Sequence, residues 1–113
     1  MAESKTNYDP KQDQVVISFT DELKKQIPNY LKNIALYGSR ARGNNKKHSD
    51  YDFVVLLNEK NEETAEIIYD IGYGILDKYE QLASCLILNE EEWNIQQKFP
   101  IRKNILKDGI WML

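Results

Sequence analysis

The chain has one cysteine, Cys85, and so cannot close a disulfide within itself. Set in an apolar stretch, that thiol reads as a buried, inert group rather than a reactive one. Long apolar runs are missing as well. The run Phe53 to Leu57 falls far short of the roughly 20 residues that a membrane-spanning helix needs. No charged-then-apolar leader with a small-residue cleavage site opens the sequence, so export is not expected. Internal repeats and low-complexity tracts are absent. So is a basic excess: 15 Lys and Arg stand against 18 Asp and Glu, a formal net charge of −3. That is not the footprint of a protein that binds long nucleic acid. The expectation is a cytoplasmic domain with neither a membrane nor a duplex as partner.

The 113 residues, 42% hydrophobic and 29% charged, suit one folded domain. Residues 1–10 are polar and without periodicity and read as a flexible tail, leaving a domain over residues 11–113. From Gln12 to Lys32, Val15, Val16, Phe19, Leu23, Ile27 and Leu31 recur at helical steps, and Pro28 is expected to end or bend that helix. Ile34 to Tyr37 reads as a short strand stopped by Gly38. A polar turn then runs to Ser49, and Tyr51 to Leu57 is a second strand rich in β-branched and aromatic residues. Glu62 to Lys78 reads as a helix with Ile67, Ile68, Ile71, Ile75 and Leu76 inward, and with Gly72 and Gly74 placed for close packing on a sheet. Leu82 to Leu88 is a third strand. Asn89 caps the next helix, with Glu90, Glu91 and Glu92 in its first turn. Pro100 separates it from a last helix, Ile101 to Lys107, closed by Gly109. The order predicts an α/β or α+β fold, a short mixed sheet flanked by helices.

Chemistry concentrates between the first two strands. Asp50 and Asp52 alternate on a strand, so their carboxylates share one face while Tyr51, Phe53 and Val55 take the other. Like charges so close repel, and the pair becomes sensible when a divalent cation lies between them. Two solvated aspartates at a strand start are the plainer alternative. Gly38 and Ser39 end the preceding strand in a turn whose N–H groups and hydroxyl can meet a phosphate. Arg40 and Arg42 follow, and arginine grips phosphate with two donors. With Lys46, Lys47 and His48 they make one basic loop on an acidic chain, which fits a small polyanion such as a triphosphate. Solvated loop residues are the alternative reading for Lys46, Lys47 and His48.

Gly38-Ser39, then ten residues, then Asp50-Tyr51-Asp52 resembles the signature of the DNA polymerase β-like nucleotidyltransferase superfamily. Tyr37-Gly-Ser-Arg-Ala-Arg-Gly43 and Ser49-Asp-Tyr-Asp-Phe-Val-Val55 are similar to its small prokaryotic branch, the minimal nucleotidyltransferase (MNT) domains. Asn89 to Trp93 and Pro100 to Gly109 are similar to the tail of that branch, though with less specificity. The resemblance implies the polymerase β-like fold. Gly38 and Ser39 would hold the β- and γ-phosphates of ATP, and Asp50 and Asp52 would bind two magnesium ions. It further implies an antitoxin paired with a HEPN-domain toxin, to a tyrosine of which AMP is transferred.

The superfamily usually adds a third carboxylate from a later strand. Here that strand, Leu82 to Leu88, has no acid in its interior; Ser84 stands near the expected place, and Glu80 at the strand entrance is the nearest candidate. The gap keeps open a silent nucleotidyltransferase-fold module that neutralises its partner by occlusion. Transfer to a small molecule, such as an aminoglycoside, is a third reading, which a homo- or hetero-oligomer could support by completing an acceptor pocket. Trp93 and Trp111 are expected to pack on the core or cover a partner surface, and Tyr30, Tyr69, Tyr73 and Tyr79 to pack or line an interface.

Overall fold

Asp13 leaves the helical backbone and its carboxylate accepts from the Val15 N–H at 2.9 Å, which starts helix α1 (Gln14–Gln26). In this computed structural model residues 8–42 and 50–113 are described. Helix α1 ends earlier than the apolar stripe suggests. Ile27, just ahead of Pro28, is held at φ −132°, outside the helical region that a following proline disfavours. The chain turns over residues 28–30 and enters strand β1 (Leu31–Tyr37) three residues before the expected start. There follow α2 (Gly38–Ala41), β2 (Tyr51–Leu57), α3 (Glu62–Tyr79), β3 (Ala83–Asn89), α4 (Glu90–Ile95), α5 (Pro100–Asp108) and a two-residue strand β4 (Ile110–Trp111) that periodicity could not reveal. Of the segment read as a tail, Tyr8 packs on the core and Pro10 is buried, while residues 1–7 lie outside the described residues.

The strands form one mixed sheet in the order β3-β2-β1-β4. Strand β1 runs antiparallel to β2 and β4, and β3 runs parallel to β2, the crossover being α3. Helices cover both faces. On one, α1 and α3 bury Phe19, Leu23, Ile68 and Ile75 against Ile34, Leu36, Phe53 and Val55, with Phe19 and Phe53 stacked at 4.2 Å. On the other, Ile105 of α5 seals Ala35, Val54, Leu56 and Leu88, flanked by Trp93 and Trp111 edge-to-face at 5.9 Å. Both tryptophans therefore serve the second core. Strand β2 is buried on both faces, so the expected split into one dry and one wet face holds only at its first residues. Gly72 sits where a Cβ would rest 3.5 Å from the Ala83 carbonyl oxygen, whereas Gly74 faces open space and Leu76 is exposed rather than inward.

Asn89 ends β3 and caps α4: its side chain accepts from the Glu92 N–H at 2.7 Å, and Glu92 returns to the Asn89 N–H at 3.0 Å. Lys60 donates to Glu92 and to the Ile87 carbonyl, tying the β2–α3 turn to this cap. The Asn89 N–H bond and Lys60 hold the Glu92 carboxyl below its ordinary value. A depressed folded-state pKa adds stability above the unfolded pKa that is lost as pH falls through the folded one. Asn89→Ala is expected to cost about 1 kcal/mol in urea unfolding. Glu92→Gln should flatten the acid side of the stability profile below the usual carboxylate range, and an unchanged profile would count against this cap.

Candidate active site

Where β1 gives way to α2, Gly38 takes φ 80°, a left-handed conformation that suits glycine. A Cβ built on it would lie 3.3 Å from Asp52 Cγ and would collide with Asp52 Oδ2. The backbone at Gly38 is thus pressed directly against the Asp52 carboxylate. Strand register explains the approach: Tyr37 is the β1 partner of Asp52, so the residue after it turns over the carboxylate. Asp50 lies just before β2 and is exposed; Asp52 is half-buried. Burial first, and then the charge of Asp50, push the Asp52 carboxyl above its ordinary pKa, against an opposing pull from Arg42. Asp52 therefore feels the charge of Asp50. Two carboxylates two residues apart offer the hard oxygen donors that a magnesium ion takes.

The arginines part company. Arg42 stays exposed at the mouth of the site, with its guanidinium 3.8 Å from Asp108 of α5. Arg40 is buried, its guanidinium 4.0 Å above the Tyr51 ring and 3.4 Å from Gln81 Oε1. Tyr51 points to the face opposite Asp52 because strand side chains alternate. Arg40 thus lies beneath the α2 turn, on the face of β2 opposite Asp52. Tyr51 in turn donates to Asp13 at 2.9 Å, and Tyr8 donates to the same oxygen at 3.0 Å. Burial, followed by its own bond to Asp13 and the charge of that carboxylate, pushes the Tyr51 phenol up to about 12. Arg40→Ala is expected to cost about 2–3 kcal/mol in thermal unfolding, through lost packing on Tyr51 and the lost part-buried bond from the guanidinium to Gln81. Arg42→Ala should leave stability within about 0.5 kcal/mol and raise the KM for nucleotide instead.

In the parallel pairing of β2 with β3, Asp52 stands opposite Ser84. The position read from sequence as the place of a third acid is thus beside the site, and a serine occupies it. Glu80 caps α3 in a left-handed conformation, exposed and three residues before β3 begins. Among the described residues no group of three or more His, Cys, Asp and Glu could hold a metal ion, so Glu80 does not join Asp50 and Asp52. Lys46, Lys47 and His48 lie outside the described residues. Burial pushes the Cys85 thiol up to about 12, which makes it unreactive near neutral pH.

Sequence reasoning missed the far wall. A cleft of about 460 Å³ opens beside Gly38, bounded by Tyr37 and Arg42 on one side and by Phe99, Ile101, Asn104 and Asp108 on the other. Nothing in the sequence says that α5 packs across β1, so residues more than fifty positions apart carry no shared signal. Burial, then the charges of Asp52 and Cys85, raise the pKa of the Tyr37 hydroxyl.

Residues 16–112 match the sequence profile of the family described as Nucleotidyltransferase domain. A relative in Methanocaldococcus jannaschii, named as a candidate protein adenylyltransferase, is 24% identical over 98 residues, covering 87% of this chain and 94% of its own. Among solved structures, the fold is similar to a chain of a toxin–antitoxin crystallised with AMP-PNP, with TM-score 0.62, 16% identity, and 84% and 69% of the two chains covered. It is also similar to a candidate nucleotidyltransferase from Sulfolobus solfataricus, with TM-score 0.56, 19% identity, and 87% and 76% covered. Among the described residues no helix is long and apolar enough to cross a membrane.

Proposed function

The chain belongs to the nucleotidyltransferase domain family, and we propose that it transfers AMP from ATP to a tyrosine hydroxyl of a HEPN-type toxin, acting as its antitoxin in the cytoplasm. The observation that supports this reading most is the close approach of the Gly38 turn to the Asp52 carboxylate. Asp50 and Asp52 would hold magnesium, whose charge screens the phosphates and the oxygens at which bonds form and break. The Gly38 and Ser39 N–H groups and the Ser39 hydroxyl hold the β- and γ-phosphates, with Arg42 at the rim. The acceptor oxygen attacks the α-phosphorus, its bond to the bridging oxygen breaks, and pyrophosphate leaves. Ser84 cannot accept the acceptor's proton as a carboxylate would, so the proton passes to solvent or to a base on the partner. The relative named for protein adenylyl transfer and the likeness to toxin–antitoxin chains support a protein acceptor.

Incubating the protein with labelled ATP, magnesium and its genomic neighbour should put label on a tyrosine of that neighbour, and Asp50→Asn with Asp52→Asn should remove it. Wild type and variant labelling alike would overturn the reading. Ser84 opposite Asp52 favours one alternative, a module that neutralises its partner by occlusion. In that case the double variant would still protect cells from the partner; loss of protection would exclude occlusion as sufficient.

A further inference from the structure

The triphosphate occupies the turn and the carboxylates, yet neither reads a base. Among the described residues, Gly38 also lines the cleft between β1 and α5. Its chemistry differs from that of the phosphate turn. Phe99 lies at the rim, 53% exposed. Ile101 gives an apolar wall packed on the second core. Asn104, one turn along α5 and exposed, brings a planar amide with both a donor and an acceptor. An aromatic face, an apolar wall and an amide are what a nucleobase needs, whereas phosphate needs none of them.

We propose that this cleft is the base subsite of the nucleotide site and takes adenine, stacked on Phe99 and read along its edge by the Asn104 amide. The proposal rests on the triphosphate reading above. Adenine places an amino donor beside a ring acceptor, and an amide matches both at once. Guanine presents two adjacent donors, which a carboxylate matches better. Among the residues lining the cleft the carboxylate is Asp108, and it is engaged by Arg42 at 3.8 Å. That ion pair also joins the two walls, since Arg42 follows the phosphate turn and Asp108 ends α5. Pyrimidines bury less ring on Phe99 and so bind less tightly.

The test is the dissociation constant of ATP, GTP, CTP and inorganic tripolyphosphate, each with magnesium, for wild type, Phe99→Ala, Phe99→Trp and Asn104→Ala. Both positions are exposed, so the variants fold. Phe99→Ala is expected to weaken ATP about tenfold or more without changing tripolyphosphate, and Phe99→Trp to restore ATP. Asn104→Ala is expected to shrink the preference of ATP over GTP by about tenfold, and to leave the preference over CTP, which rests on stacking, in place. Unchanged ATP binding in both alanine variants, or parallel loss of ATP and tripolyphosphate, would overturn the subsite. So would an effect seen only in the KM of the acceptor. A wild type that binds tripolyphosphate but does not prefer ATP would overturn the subsite alone. One that binds neither would overturn the triphosphate reading together with it.

Discussion

Replacing both Asp50 and Asp52 with asparagine is expected to lower nucleotidyl transfer by at least about 10³-fold. Magnesium held by this pair would contribute several kcal/mol of charge stabilisation, and each 1.36 kcal/mol is tenfold in rate. Asparagine keeps the shape and removes the charge, so the loss should appear in kcat and in metal dependence rather than in folding. Stability should move the other way. Asp52 has a folded-state pKa raised by burial and by Asp50. Folding therefore favours its protonated form, and the carboxylate weakens the metal-free fold wherever the group is ionised. Lowering pH through that raised pKa relieves the penalty, and Asp52→Asn relieves it at every pH. Because the group is half-exposed, solvent screening limits the gain to about 0.5 kcal/mol, or a few degrees in Tm. A single variant that loses activity and melts higher without magnesium is the expected signature of a site that trades stability for chemistry. A lower Tm would show that Asp52 is a structural residue.

Gly38→Ala carries the second large effect. At φ 80° an alanine pays about 1–2 kcal/mol for the left-handed backbone. Its Cβ would also meet the Asp52 carboxylate, whose atoms lie 3.3 and 3.4 Å away at Cγ and Cβ and nearer still at Oδ2. Either the turn lifts from β2 or Asp52 swings aside, and each outcome would part the proposed phosphate donors from the proposed metal ligand. Expected are a fall in Tm of about 5–10 °C and a loss of magnesium-dependent nucleotide affinity of tenfold or more. Ser39→Ala removes one hydrogen bond and leaves the backbone alone, so its cost should be about tenfold in affinity with little change in Tm. If Gly38→Ala bound nucleotide as well as wild type, the close approach would have no role in binding.

The local grammar of the chain was legible because it rests on neighbours in sequence. Asn89 caps α4, Gly109 ends α5, and the alternation of Asp50, Tyr51, Asp52 and Phe53 divides carboxylates from core as the strand period requires. Register was not legible. That Tyr37 and Ser84 flank Asp52 depends on how three strands align, and no local pattern encodes it. Arg40 shows the same limit from another side. Its charge suggested phosphate; that its guanidinium lies over Tyr51 and beside Gln81 depends on how the four-residue helix turns, which its neighbours in sequence do not encode. Strand β4 is only two residues long and forms because α5 delivers it to the free edge of β1.

Calorimetric titration of ATP into wild type and into Asp50→Asn with Asp52→Asn, with and without magnesium, tests the central claim most directly. Wild type should take up ATP only when magnesium is present, and the double variant should show no uptake in either condition. Uptake of equal strength without magnesium, or in the variant, would contradict a site in which paired carboxylates and the Gly38 turn bind the triphosphate through a shared cation.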